Sequence, residues 1–546
     1  MSQSAVFETF SYKGENVLAD KWTDSNSQFL NPILPGFCPD PSICRVGKDY
    51  YLVVSSFSYY PGVPIYHSTD LVSWRQIGHV LNRPSQLKLS EGIGVSSGIY
   101  APDIKYNPHN KRFYLITTGV YAGGNFYVTT DDPKKGHWSE PVFLPEVGGI
   151  DPAIFFDEDG KAYIVNNDAP DGEPKYSGHR AIWIREFDWK NNKIIGQQKA
   201  IIDGGVDISQ KPSWVEGPHL YKINGKYYLM CAEGGTGPAH REVIFVSDSP
   251  MGPFQPCPIN PILTQKDLPA NREYPVNCVG HADLVQTEAG DWHAVFLGTR
   301  DYKYGHNNTG RETFLLPVSW DSGQPVILPV SEKVPLVVPM TEEMKRLHRK
   351  AKAGDDFYAP SVLWNKSGLA KETVVLRNPT VQRYQIDENT GFLNLIPAEG
   401  LEKKKHPALI LRRINSQVFN VSTSFAYIPT SEQDFAGLIV FQDEAHNIRA
   451  GKSINEEGET VLLLQVFKGG KLHGGYELIV PEEYRTAKVN LRIEASKAHT
   501  YVFSYAYGTS NSWQQLGEAV DTTILSTKMA GGFTGNLVGI YATNGR

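Results

Sequence analysis

Cysteine is scarce in this chain. There are five in 546 residues: Cys38, Cys44, Cys231, Cys257 and Cys278. No two form a CxxC pair, which argues against a zinc ribbon or a dithiol redox centre; an odd, sparse set reads as buried free thiols. Long apolar runs are missing too, so no segment reads as a membrane span. There is no long basic run, the net charge is −6 and the pI is about 6.2. Nucleic acid and anionic membrane surfaces are therefore poor partners. Helical patterning is rare, with "TEEMKRLHRKAK" (341–352) the most helix-like stretch. No P-loop, HExxH, GxSxG or dinucleotide-binding fingerprint occurs. The opening "MSQSAVFETF" fits a cytoplasmic start and equally a start left by removal of a signal, so the compartment stays open.

What the chain does have is aromatic residues (11%), 50 glycines and 36 prolines, a composition suited to an all-β protein rich in turns. It also has an internal repeat. "DPSICRVGKDYYLVV" begins at Asp40, "DIKYNPHNKRFYLITT" at Asp103 and "DPAIFFDEDGKAYIV" at Asp151; "EGPHLYKINGKYYLM" begins at Glu216 and "HADLVQTEAGDWHAVF" at His281. Each copy runs from a polar residue through a strand-like stretch and a turn to a second strand centred on an aromatic pair or its equivalent. A period of roughly 50–65 residues with two clear strands and room for two more fits a four-stranded propeller blade. Five copies predict a five-bladed β-propeller over residues 31–338. Residues 1–30 precede it as an N-terminal extension, and 339–355 read as a linker. Residues 356–546 carry short alternating strands such as "AGLIVFQD" and "TYVFSYAYG" and read as a β-sandwich.

Equivalent positions of successive blades converge at one end of the channel, which would gather Asp40, Asp103, Asp151, Glu216 and His281. One Asp-Pro is an ordinary turn element. Five ionisable residues in one register are not, because like charges brought together repel and raise at least one pKa. Asp103 is the member with the best structural explanation. Glycosidic hydrolysis needs a proton donor for the leaving oxygen and a second carboxylate across the bond. A third carboxylate near the acid keeps it protonated. Phe37, Phe57 and Tyr100 lie near the cluster and can stack on sugar. A binding-only propeller is the non-enzymatic alternative, but neutral sugars need no trio of carboxylates.

The motifs "NPILPGFCPDPSI", "GIYAPDI", "GIDPAIFFDEDGKAYIV", "EGPHLY", "GHADLV" and "GRETFLLPV", in that order, resemble glycoside hydrolase family 43. The closest likeness is to its two-domain β-xylosidase and α-L-arabinofuranosidase branch, over nearly the whole chain from about Asn31. The resemblance implies an inverting, exo-acting enzyme that releases terminal pentose from hemicellulose-derived glycans, with an endo-arabinanase as the alternative. It implies Asp40 as general base, Glu216 as general acid and Asp151 as the carboxylate tuning that acid. It further implies that Arg311 binds the terminal sugar, that Phe533 comes from the sandwich to the pocket rim, and that His281 stands at the channel centre. In several members that histidine holds a calcium ion, often through water, so a structural calcium is an expectation here although no cofactor is required. Tyr100 stands where β-xylosidases often carry Trp, and "SYYPG" after Phe57 also departs from the common form. Both positions bear on which pentose is bound.

Overall fold

The computed structural model describes residues 4–545 apart from 304, 379–380, 498 and 511. Five antiparallel sheets form the first unit. The innermost strands are Ser42–Val46, Gly98–Asn107, Ile150–Phe156, Glu216–Ile223 and Val276–Gln286. Each pairs with the following strand through a short turn, as the repeat predicts. The innermost strands touch one another in a closed ring, including the last against the first.

The fifth sheet has three strands of its own, ending in Arg311–Pro317. Its outer edge is covered by the segment entering blade one. Leu34 and Thr313 exchange backbone hydrogen bonds of 3.2 and 3.3 Å, and the Cys38 amide donates to the Arg311 carbonyl at 3.0 Å. Asn31 reinforces the seam, accepting from the Leu315 amide and donating to its carbonyl, both at 2.9 Å. Such closure leaves no free edge on that blade.

The second unit packs an eight-stranded sheet on a six-stranded one around an apolar core that includes Phe7, Leu438 and Ile493. The described residues of the N-terminal extension, 4–30, are not an appendage of the propeller. Ala5–Gly14 is an interior strand of the eight-stranded sheet, between Leu393–Leu395 and Phe419–Ala426. Its alternating burial shows why: Phe7, Phe10 and Tyr12 point inward. The segment 339–355 is likewise packed. The Thr341 hydroxyl caps the helix Glu342–His348 by accepting the Met344 amide, Met344 is buried in the propeller core, and His348 contacts Asp70 at 2.7 Å. All five cysteines are free, and four of them are buried.

An apolar seam joins the two units. Phe37, Phe57 and Tyr59 from the propeller pack with Leu409, Phe441 and Tyr541 from the sandwich. This seam fixes where the sandwich can reach the channel mouth.

Candidate active site

The innermost strands share a local feature that builds the site. Asp40, Ala101, Asp151, Gly217 and His281 all have left-handed backbone, with φ of 52, 36, 54, 56 and 50°. In blades two to five the ladder shifts register there, the mark of a β-bulge. These five positions form the upper ring of the channel. The expected register is therefore corrected in two blades. Ala101, not Asp103, occupies the ring in blade two. In blade four the ring position is Gly217, and Glu216 precedes it. A Cβ on Gly217 would lie 2.8 Å from the His281 ring, so only glycine fits there, and the carboxylate comes from its neighbour.

Side chains alternate along a strand, so the residues two further on form a second layer: Ser42, Asp103, Ala153, His219 and Asp283. Asp103 belongs to this lower layer, away from the three carboxyls above.

In the upper ring, Asp40 is 5% exposed, Asp151 6% and Glu216 9%. Arg311 Nη1 donates to Asp40 Oδ1 at 3.0 Å, and Ser55 Oγ donates to Asp40 Oδ2 at 2.6 Å. His281 Nδ1 lies 3.5 Å from Asp40 Oδ1. Ser55 is itself fixed by accepting the Ala101 amide at 2.7 Å. Burial pushes the Asp40 carboxyl up, but Arg311, His281 and Ser55 outweigh it and hold it below the ordinary carboxylate range. Glu216 goes the other way. Burial, then the Asp151 and Asp40 charges, push it well above its usual value, with Arg311 and Arg180 opposing only in part. Asp151 is also raised, by burial and by Asp40, although it accepts the Gly217 amide at 3.1 Å. Burial lowers His281, and the Asp40 and Asp151 charges oppose that only in part. The channel mouth thus holds two carboxyls displaced in opposite directions, Asp40 downward and Glu216 upward, with Asp151 adjoining Glu216.

The aromatic residues differ in what they offer. Phe57 is 1% exposed, its ring packed on Tyr100 (4.9 Å) and Phe37 (5.6 Å). It backs the pocket instead of presenting a face. Phe37 is equally buried. Phe533, by contrast, is 37% exposed. Its amide donates to Ser96 Oγ at 2.9 Å, its ring lies 6.2 Å from Phe57, and the Arg311 guanidinium sits 5.7 Å from its centroid. Phe533, supplied by the sandwich, lines a cleft of about 1000 Å³ beside Arg311. A separate cavity of about 290 Å³ near Tyr60, His79 and Tyr384 is lined by no carboxylate.

Four neighbours were not singled out from the sequence. Ser55 orients Asp40 as described. Arg180 opposes the rise of Glu216. His240, lowered by burial to about 4, donates from Nδ1 to the Cys278 carbonyl at 2.9 Å. Glu242 is fully buried, raised well above its usual value by that burial, and accepts the Ala282 amide at 3.1 Å. None lies in a repeated motif, and only the folded ring brings them near.

Calcium takes six to eight oxygen ligands. Between the two layers is a cavity of about 10 Å³, lined by Asp40, Asp103, Asp151, His219 and His281. That is room for one water at most. Among the described residues, Asp103, His219 and Asp283 are the one group spaced to hold a metal, within 4.8 Å. The oxygens of both aspartates are already engaged by Ser42, Lys105, Tyr221 and backbone amides. With the Lys105 ammonium between the two carboxylates, these residues do not fit calcium.

A propeller whose channel mouth holds a buried, oppositely tuned carboxyl pair defines a glycosidase. Residues 29–325 match the glycosyl hydrolases family 43, and residues 363–546 match the β-xylosidase C-terminal concanavalin A-like domain. The chain belongs to glycosyl hydrolases family 43. It is 37% identical to a xylosidase/arabinosidase of Butyrivibrio fibrisolvens over 524 residues, 94% of this chain and 95% of that one. It is 36% identical to a non-reducing end α-L-arabinofuranosidase of Bacteroides ovatus over 530 residues, 94% and 91% of the two chains. A GH43_12 crystal structure from a capybara gut metagenome superposes with a TM-score of 0.87 at 38% identity, covering 99% of this chain and all of the other.

Proposed function

We propose that the enzyme removes single terminal pentose residues, α-L-arabinofuranose foremost and β-D-xylose second, from hemicellulose-derived glycans with inversion. Asp40 is the general base, Glu216 the general acid and Asp151 the carboxyl that keeps the acid protonated. The observation that carries this reading is the opposite displacement of Asp40 and Glu216 within one ring. An ionised Asp40 takes a proton from the attacking water. A protonated Glu216 gives one to the departing oxygen. Arg311 has a second role beyond holding Asp40 ionised. Its Nε is buried without a protein partner among the described residues, as a group that hydrogen-bonds a sugar hydroxyl would be.

The Phe533 wall beside Arg311 supports a pocket closed around a chain end, which suits exo action. Tyr100, whose ring lies 6.1 Å from Phe533, is the side chain on which the arabinose preference rests, since it replaces a larger indole. The names of the relatives agree with both sugars. A panel of nitrophenyl glycosides tests the reading. Turnover of the α-L-arabinofuranoside above the β-D-xyloside is expected, and the reverse order would overturn the preference. Proton NMR in the first minutes of hydrolysis should show the inverted anomer; the retained anomer would overturn the roles.

A further inference from the structure

We propose that the lower layer of the channel carries its own cation, Lys105, seated where a divalent metal would otherwise stand, and that this makes the enzyme independent of metal. The proposal rests on the family assignment only for the position of the active carboxyls above.

Lys105 belongs to the third layer of the blade-two strand, two residues beyond Asp103. Its stem rises along the channel. Nζ lies 2.9 Å from Asp103 Oδ1 and 2.7 Å from Asp283 Oδ2. Those two carboxyls are 2% and 0% exposed. Two buried carboxylates from different blades repel and lose hydration, so they persist as anions only with compensating charge. The ammonium between them supplies it together with the adjoining His219: burial pushes Asp283 up, and His219 and Lys105 outweigh it and hold it well below the usual carboxylate range.

The charged centre also ties the ring together. Asp103 Oδ2 accepts the Ile154 amide of blade three at 2.9 Å. Asp283 Oδ2 accepts the Ile43 amide of blade one at 2.9 Å. Asp283 Oδ1 accepts the Tyr221 hydroxyl of blade four at 2.7 Å, and that hydroxyl accepts the Leu284 amide at 3.0 Å. Ser42 Oγ accepts the Ile104 amide at 3.1 Å and lies within hydrogen-bond distance of both aspartates. His219 Nδ1 stands 3.3 Å from Asp103 Oδ1. All five blades are thus joined through two carboxylates. Each joint lies within five residues of Asp40, Asp151 or Glu216 or, in the other two blades, on the strands of Ala101 and His281. Lys105 is a positioning residue for the catalytic ring: it touches no substrate, and it holds the strands that do.

The lower mouth of the channel, a cavity of about 370 Å³ lined by Lys105, Cys44, Phe155 and Tyr221 among others, gives ions a way in once the ammonium is gone. The test is thermal melting and kinetics of the full chain after chelator treatment, with and without millimolar calcium chloride. For the wild type, calcium should leave both the melting temperature and kcat/KM unchanged. Lys105→Met keeps the stem and removes the charge. It should melt at least about 5 °C lower in chelator, lose kcat more than it raises KM, and regain melting temperature as calcium is added. Lys105→Met/Asp283→Asn removes one charge of each sign. It should melt above the single variant in chelator and respond less to calcium. A rise in wild-type melting temperature or activity with calcium would overturn the proposal. So would a Lys105→Met protein that melts like the wild type in chelator, or one that calcium does not stabilise. If the single variant does not fold, the double variant decides: folding supports the charge argument, and failure of both overturns it.

Discussion

Arg311 and Asp40 are separated by 271 positions in the chain and by 3.0 Å in the fold. The contact is a product of ring closure. Cys38 and Arg311 pair across the seam between the first and last blades, and that pairing sets the guanidinium over the carboxylate two residues on. Arg311→Met should therefore let Asp40 rise, because burial would no longer be opposed by its strongest partner. The acid limb of the kcat/KM profile should move to higher pH, and KM should increase. An acid limb that stays in place would show that Arg311 does not set the ionisation of the base. Asp40→Asn should abolish turnover of every substrate at every pH.

Glu216 is poised as a donor, so the effect of its loss should depend on the leaving group. Glu216→Gln should reduce kcat/KM on natural oligosaccharides by roughly 10²–10⁴-fold. Nitrophenyl glycosides, whose leaving group needs little protonation, should lose much less. Equal losses on both substrate types would remove Glu216 from the role of acid.

Asp151 raises Glu216 by charge. Asp151→Asn removes that charge, so the acid loses its proton at lower pH, and the alkaline limb of the profile should shift downward. A fall in rate with an unshifted limb would instead mark Asp151 as a group that only orients its neighbours.

Phe533 tests whether the sandwich takes part in binding. A fully buried Phe→Ala change removes roughly 3–5 kcal/mol of stability. Phe533 is 37% exposed, so Phe533→Ala should lower the melting temperature far less than that figure implies while raising KM several-fold. A large loss of melting temperature with unchanged KM would make it a packing residue.

The propeller was legible in the sequence because blades repeat, and repetition turns five weak signals into one strong one. The carboxyls Asp40, Asp151 and Glu216 were found for the same reason. Blade two misled the register. Its ring position holds Ala101, which carries no chemistry, and the nearest acid, Asp103, sits one layer lower. The strand Ala5–Gly14 was missed because its partners lie hundreds of residues away, and a lone alternating stretch does not announce which sheet it joins. Ser55, Arg180, His240 and Glu242 had no signal at all. Their proximity to the ring is a property of tertiary packing, and no spacing rule encodes it.

That first strand has a consequence for how the protein is made. Tyr12 hydrogen-bonds Asn415, 403 positions later, and the strand between Ala5 and Gly14 pairs with Phe419–Ala426. At roughly 5–20 residues per second of synthesis, the strand emerges about 20–80 s before its partner exists. Throughout that interval Phe7, Phe10 and Tyr12 have no core to enter. The propeller can close while they wait, but the sandwich cannot, and with it waits Phe533. No newly made molecule can therefore have its channel mouth bounded on the Phe533 side until the chain is almost complete.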